Sequence, residues 1–465
     1  MLEGIRAQDI YIGTSMDFAV YLEKDCGIEY KENGIAMNPF TSIKMHGANI
    51  VRFGIQMPPF SNSFSQGKTI DYSSAEKTKI SMQRAKDAGL KTLLTFTYRS
   101  FALEDSQHLN NYVAPLGWQS IASDLNKITD SVYMYTYSIL DDFCGSGLIP
   151  EIVSIGNESV WRMLEPNLPE DQLPAYDPGR SVAILNAGSR AVRDIAARYN
   201  VQIKVCFHMM GPSRTNWWLE THFPYGPDFD MIGISLYHGW NNNDYAGFSS
   251  LGDFVAAIIH TYHIEFIVME TAQLFTSGGN DDHVDILGVE NIPAGYPNPP
   301  TTDTQKEYLT DITREVIQNG GSGTLVWGGD WVACDCYVYP DQWGPGSSWE
   351  NKAFWDFDDN LHDGVNWMMQ FNGTSSGQEV LNKGSDFDLF PNPVKGGVFT
   401  IRFKKPLGNV RLSVFNLNGK LIMGNTEKIS GICDYQYHLP DGKNGIFFLE
   451  IVSEGDAKIG KLVSF

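Results

Sequence analysis

Eight short apolar runs, separated by stretches of helical character, constrain this chain more than any other feature. They occupy residues 10–17, 50–56, 92–98, 151–158, 202–208, 231–237, 265–270 and 323–327. Ile152, Val153 and Ile155 show the type: β-branched side chains with no polar face, as a strand covered on both sides requires. Helical apolar spacing fills 73–88, 121–143, 181–199, 251–262 and 304–317. Strand alternating with helix predicts parallel βαβ units. No Gly-x-Gly-x-x-Gly turn follows any of the runs, so eight units favour a closed (β/α)8 TIM barrel over a doubly wound sheet. Asp71 and Ser73 are expected to cap the helix beginning near residue 73, and Gly89 to stop it.

After Phe371 the texture changes. Asn372 to Gln378 is polar and too poor in apolar residues to pack, which reads as a linker over 371–385 between a barrel at 1–370 and a second domain at 386–465. The last part alternates apolar with polar over 398–403 and 410–415, turns at Asn418-Gly419 and carries another strand at 445–452. Strands and turns without helical pattern predict a small β-sandwich.

A net charge of -21 repels polyanions, so nucleic acid is excluded as a partner and a neutral substrate fits better. No run reaches the roughly 18 apolar residues of a membrane span. Met1 to Gln8 lack the apolar core of a signal peptide, so an exported chain with this beginning is expected to be a mature form. Six cysteines are too few for a disulfide scaffold; the close pair Cys334 and Cys336 reads as structural, with one member available to a disulfide.

Chemistry is expected where two of the runs end. The fourth runs into Gly156-Asn157-Glu158 and the seventh into Glu270-Thr271, and the carboxyl edge of a parallel sheet is where such folds place reactive groups. Two glutamates facing one mouth can cleave a glycosidic bond: one protonates the leaving oxygen, and the other, about 5 to 5.5 Å away, attacks with net retention. We assign Glu158 as acid/base and Glu270 as nucleophile. Asn157 offers an amide to the sugar hydroxyl beside the reacting carbon. Arg52 lies inside a buried strand, where an unpaired charge costs several kcal/mol, so a carboxylate partner such as Glu270 is inferred, with a structural ion pair elsewhere as the alternative. Tryptophans on barrel loops suit the apolar faces of sugar rings. Trp327, ending the eighth run, is the leading substrate-facing residue, joined by Trp331, while Trp355 is expected in the core.

Several motifs together carry a resemblance: Gly13-Thr-Ser-Met-Asp17, Gly47-Ala-Asn-Ile-Val-Arg52, Gly89-Leu-Lys-Thr-Leu-Leu94, Ile155-Gly-Asn-Glu158, Ile232-Gly-Ile-Ser-Leu-Tyr237, Val268-Met-Glu-Thr-Ala272 and Gly346-Ser-Ser-Trp-Glu-Asn351. From Ile12 to about Met369 the chain resembles glycoside hydrolase family 53, the arabinogalactan endo-β-1,4-galactanases. The resemblance implies a retaining barrel glycosidase with Glu158 and Glu270 as its carboxyl pair, and sugar contacts from Arg52, Asn157, Tyr237 and Trp327; Tyr98, His238 and Trp331 are further candidate substrate-binding residues. It also implies Ca²⁺ in the loop after the seventh strand, held by Asp281, Asp285 and the carbonyl of His283; a solvated acidic loop is the plain alternative. The chain departs from the family at its innermost sugar site. Gly54 replaces a second arginine, Thr95 and Thr97 replace an acid and a histidine, and Gly328-Gly329 replace Glu-Pro after the tryptophan.

The tail, with Leu389-Phe-Pro-Asn-Pro-Val394, Val414-Phe-Asn-Leu-Asn-Gly419 and Gly445-Ile-Phe-Phe-Leu-Glu450, resembles a carboxyl-terminal sorting domain of type IX secretion. That implies a secretion-machinery partner and a secreted or cell-surface location; an accessory sugar-binding β-domain is the alternative. The expected protein is a retaining glycosidase acting on a plant-type polysaccharide or its oligosaccharides, with β-1,4-galactan as leading substrate. The rivals are a related glycosidase on another β-linked glycan and a barrel that binds glycan without turnover.

Overall fold

The computed structural model describes residues 9–58, 71–100, 113–159, 161–240, 245–334 and 346–371, and in the tail 387–390, 397–403, 408–416, 421–429, 433–439, 445–453 and 456–464. The chain divides into two compact units, Met1–Ser376 and Gly377–Phe465. The expected linker, Cys336 and the Asn418-Gly419 turn lie outside the described residues, Phe371 excepted.

Eight parallel strands close the first unit: β1 (Tyr11–Ser15), β2 (Ile50–Met57), β3 (Lys91–Ser100), β4 (Ile152–Ile155), β5 (Lys204–Met210), β6 (Met231–Ser235), β7 (Glu265–Glu270) and β8 (Gly323–Val326). Neighbours in sequence are neighbours in the barrel, and β1 seals it against β8 with Tyr11 opposite Gly323. Every expected strand is present. The connecting helices are α1 (Pro39–Met45), α2 (Ala75–Asp87), α3 (Leu125–Gly145), α4 (Pro178–Tyr199), α5 (Pro212–His222), α6 (Leu251–Tyr262) and α7 (Thr302–Gln318), and a 3-10 segment Asp363–Phe371 follows the last strand. Two of them, α1 and α5, go beyond the helical stretches expected from sequence. Both begin with proline at the first turn, where its missing N–H costs nothing. The cap of α2 is Ser74, which accepts from the Lys77 amide, rather than Ser73; Asp71 in turn accepts from the Ser74 amide.

The barrel interior is filled by one small cluster to which every strand contributes: Tyr11, Ile50, Leu93, Ile152, Cys206, Met231, Ile267 with Met269, and Leu325. Side chains alternate across a strand, so residues two further along share that inward face. Arg52, Thr95, His208 and Trp327 stand in this relation to the plug, and Ser235, four residues beyond Met231, keeps the same parity, which is why a polar layer sits above an apolar one. Trp355 is buried in the main core between barrel and helices.

The second unit has two antiparallel sheets. One orders β9 (Phe387–Phe390), β10 (Val398–Phe403) and β13 (Cys433–His438); the other orders β12 (Leu421–Ile429), β11 (Gly408–Asn416), β14 (Gly445–Ser453) and β15 (Asp456–Ser464). Phe399, Ile401 and Phe403 of the first sheet share a buried core with Val410, Leu412, Val414, Leu449 and Ile451 of the second, which makes the unit a sandwich.

Candidate active site

Arg52 is the hub of the barrel mouth. Its Nη1 donates to Glu270 Oε1 at 2.6 Å, its Nη2 to Asn157 Oδ1 at 2.5 Å and its Nε to Thr95 Oγ1 at 3.0 Å. The guanidinium is only 2% exposed, yet every arm that reaches out is matched by an oxygen. Trp327 stands with its ring centroid 5.3 Å from the guanidinium carbon. Thus Arg52, Asn157, Glu270 and Trp327, four of the expected site residues, are brought together.

Two local irregularities aim the glutamates. The pairing of β6 with β7 slips between Ile234 and Ser235, so Val268 faces Ile234 while Glu270 faces Ser235 and Met269 is the extra residue. Such a bulge turns the following side chain, and Glu270 meets Arg52 on the inner face. Its second oxygen accepts from the Tyr237 hydroxyl at 3.1 Å. Glu158 lies three residues past the end of β4, with φ of +48°, after Gly156 at +81°. A side chain at Gly156 would strike the Ser159 hydroxyl. The segment is tied to β5 by the Ser159 amide, which donates to the His208 carbonyl at 2.8 Å.

The two carboxyls are pushed apart. Burial raises Glu158, and the negative charge of Glu270 adds to it, bringing the group to about 7 despite a hydrogen bond with Ser235 and the charges of Arg52 and Arg214. Burial alone would also raise Glu270, but the charge and hydrogen bond of Arg52 and the Tyr237 hydroxyl outweigh it and hold Glu270 below the ordinary carboxylate range. At neutral pH one glutamate is therefore poised to give a proton while the other stays ionised.

His208, Thr95 and Ser235 were not among the sequence-derived site residues. His208 Nδ1 bonds Asn157 Oδ1 at 3.1 Å and Nε2 bonds the Ser235 hydroxyl at 3.0 Å, and burial holds the ring neutral, with its pKa down at about 3. A polar ring in an apolar strand, in the same inward register as Cys206, is the signal that would have found it. Thr95, standing where the family resemblance expects an acid, gives Arg52 a hydroxyl instead of a second carboxylate. Gly54 leaves room for Asp17, whose Oδ1 accepts from the Gly54 amide at 2.5 Å. At Gly328, a Cβ would lie 2.8 Å from the ammonium of buried Lys352, which donates to the Trp327 carbonyl. Buried Asp17 and Lys352 thus stand directly behind the two glycines.

Two expected substrate residues are core instead. Tyr98 is 1% exposed, and its hydroxyl bonds Thr136 on α3 at 2.7 Å. Residues 96 and 98 have the opposite parity to Leu93 and Thr95, so the pleat turns Tyr98 toward the helices. Trp331 is 2% exposed and stacks on Phe18 with centroids 4.0 Å apart. His238 is half-buried at the mouth, and its carbonyl accepts from Asn291. Tyr237 continues into an aromatic group, 5.2 Å from Trp240, which lies 6.0 Å from Trp349.

Of the expected calcium residues, Asp281 is taken up by backbone, accepting from the amides of His283, Ser347 and Cys334. Among the described residues, no three His, Cys, Asp or Glu side chains converge as a metal group. Asp285 nevertheless has a buried Oδ1 without a partner, and Glu350, from the Gly346–Asn351 motif, has a buried Oε2 in the same state. Burial, then the neighbouring acids, raises both carboxyls to about 7. Orphaned hard oxygens of this kind fit a cation such as Ca²⁺.

The family model for glycosyl hydrolase family 53 matches residues 11–368, and that for a secretion system C-terminal sorting domain matches 388–464. An arabinogalactan endo-β-1,4-galactanase of Cellvibrio japonicus is 30% identical over 349 residues, covering 74% of this chain and 86% of its own length. The endo-β-1,4-galactanase of Bacillus subtilis is 24% identical, over 76% of this chain and 78% of its own length. The catalytic domain of Ignisphaera aggregans GH53 superposes with a TM-score of 0.64 at 23% identity, covering 79% of this chain and 97% of that one, a likeness of fold. Matched by the family model across its whole barrel, the chain belongs to glycosyl hydrolase family 53.

Proposed function

We propose that the protein is an endo-acting β-1,4-galactanase that works by double displacement. In this reading Glu270 attacks the anomeric carbon while Glu158 protonates the departing oxygen, and Glu158 then takes a proton from the water that releases the product. The observation that carries it is the Arg52 guanidinium at 2.6 Å and the Tyr237 hydroxyl at 3.1 Å on Glu270, at the barrel mouth it shares with Glu158; these hold one carboxyl down while burial pushes the other up. Arg52 fixes the nucleophile and, through Asn157, the amide beside the acid. Trp327 and the Tyr237–Trp240–Trp349 group supply apolar faces for sugar rings. The relatives named as galactanases support β-1,4-galactan as substrate.

The altered inner site, with Gly54, Thr95, Thr97 and Gly328 in place of the family's arginine, acid, histidine and glutamate, favours as second reading another β-linked glycan. Incubation with β-1,4-galactan and a panel of β-glucans, mannans and xylans distinguishes them. Release of galacto-oligosaccharides that is lost in Glu158→Gln and Glu270→Gln supports the first reading; turnover confined to another glycan supports the second, and binding of glycan with no product sinks both.

Residues Asp285 and Glu350 would hold Ca²⁺ in the loop after β7, where the ion would tie that loop to the segment after β8; no step of the reaction needs it. The sorting domain points to a secreted or cell-surface protein, and we propose that the type IX machinery reads this tail. No described helix is long and apolar enough to cross a membrane.

A further inference from the structure

A second aromatic group lies outside the machinery described so far. Trp161, three residues beyond Glu158, is 40% exposed, although it is among the largest apolar side chains in the protein. Its ring lies 4.8 Å from that of Trp217 on α5, and Tyr176 stacks on Trp217 at 5.9 Å with an interplanar angle of 29°. These residues come from the connection between β4 and α4 and from the second turn of α5, at the end of the barrel where Glu158 emerges. An exposed tryptophan laid on half-buried Trp217 and Tyr176 beside a reactive site marks a binding surface rather than a packing accident.

The group is held rigidly. Ser181 on α4 donates to the Trp161 carbonyl at 3.3 Å, Arg162 donates to the Pro174 carbonyl at 2.7 Å while its guanidinium lies 6.0 Å over Tyr176, and the Tyr176 hydroxyl bonds His222. A surface ordered before binding loses little entropy when a ligand arrives. Arg214 stands one turn before Trp217 on the same face of α5, exposed, with Nη1 donating to the Met210 sulfur at 2.8 Å and its charge acting on Glu158. It offers hydrogen-bond donors at the edge of an apolar plate, the combination that a sugar ring with one flat face and a rim of hydroxyls requires.

We propose that Trp161 and Trp217, with Arg214 at their edge, form a subsite for the leaving-group side of the polysaccharide. The occupant follows from continuity with Glu158: the acid protonates the oxygen that departs, so the chain on its side is the released portion. The Tyr237–Trp240–Trp349 group, adjoining the nucleophile through Tyr237, then serves the portion that becomes attached to Glu270. Saccharide held on the Trp161 plate while the glycosyl-enzyme waits is also an acceptor in place of water, so the plate favours transglycosylation over hydrolysis.

This inference rests on the galactanase reading. The full chain and its Trp161→Ala, Trp217→Ala and Trp161→Phe variants are compared on β-1,4-galactan and on galacto-oligosaccharides at high concentration. Trp161→Ala is expected to raise KM for galactan about tenfold, the size of one lost aromatic stacking contact. It should also lower the ratio of transglycosylation to hydrolysis several-fold, which a merely structural role would not do, and Trp161→Phe should restore both in large part. Wild-type KM and product ratio in both alanine variants would overturn the subsite while leaving the galactanase reading in place. Failure of the wild type itself to cleave galactan would overturn both.

Discussion

The Arg52 guanidinium and the Glu270 carboxylate meet at 2.6 Å with side chains 2% and 9% exposed, each on a strand whose other residues are almost all apolar. Removing one member of such a pair leaves a buried charge uncompensated, at a cost of about 3 to 5 kcal/mol. Arg52→Met is therefore expected to lower both stability and kcat, and to move the acid limb of the rate profile to higher pH, because Glu270 loses the cation that keeps it ionised. Thermal unfolding and kcat against pH measure the two effects; an unmoved acid limb would remove Arg52 from the mechanism.

A bell-shaped pH dependence follows from the split glutamates. Activity needs Glu158 protonated, so it should fall as pH rises through about 7, and it needs Glu270 ionised, so it should persist to pH values below the ordinary carboxylate range. Glu158→Gln should abolish the alkaline limb, with about a hundredfold or greater loss on substrates with poor leaving groups and a smaller loss on activated aryl glycosides.

Asp285 and Glu350 give stability the opposite dependence to that of a salt-bridged carboxylate. Both are raised to about 7 when folded, so between about pH 4 and pH 7 the native protein binds more protons than the unfolded chain. Their contribution is present below that window and is lost as pH rises through it. In chelator the melting temperature should decline across this range; added Ca²⁺ should restore it at pH 8, and Asp285→Asn should cancel the calcium effect. A calcium response unchanged in Asp285→Asn would place the ion elsewhere.

Tyr98→Phe tests the inward and outward faces of β3. Loss of its hydrogen bond to Thr136 should cost about 1 kcal/mol of stability, while kcat and KM on galactan stay at wild-type values. A raised KM would return Tyr98 to the sugar site.

Deletion of Gly377–Phe465 should leave galactan cleavage intact, since the barrel closes on itself and has its own core. Export from the native host should cease. Loss of activity in the soluble truncated protein would show that the tail contributes to turnover.

The barrel was legible because burial on both faces leaves an unmistakable mark: eight apolar runs with helical spacing between them admit few other folds. The reactive pair was legible for a related reason, since a carboxylate ending such a run has no place in a core. Arg52 announced a partner because an unpaired charge inside a strand is too costly to persist. Strand parity, counted from the apolar plug, was in the sequence as well and would have brought in His208 and excluded Tyr98.

Other features depended on contacts between residues far apart in the chain. No pattern within β7 reveals that Met269 is the extra residue that turns Glu270 inward, because a bulge is a mismatch between two strands. Nor could the sequence tell that Asp17 backs Gly54, that Lys352 stands against Gly328, or that Trp331 packs on Phe18 while Trp161 stays exposed. Side-chain chemistry and periodicity are local, so the chain alone determined its fold and its acid pair; protonation, exposure and the shape of the sugar site arise from which distant residues are packed together, and only the folded barrel decided them.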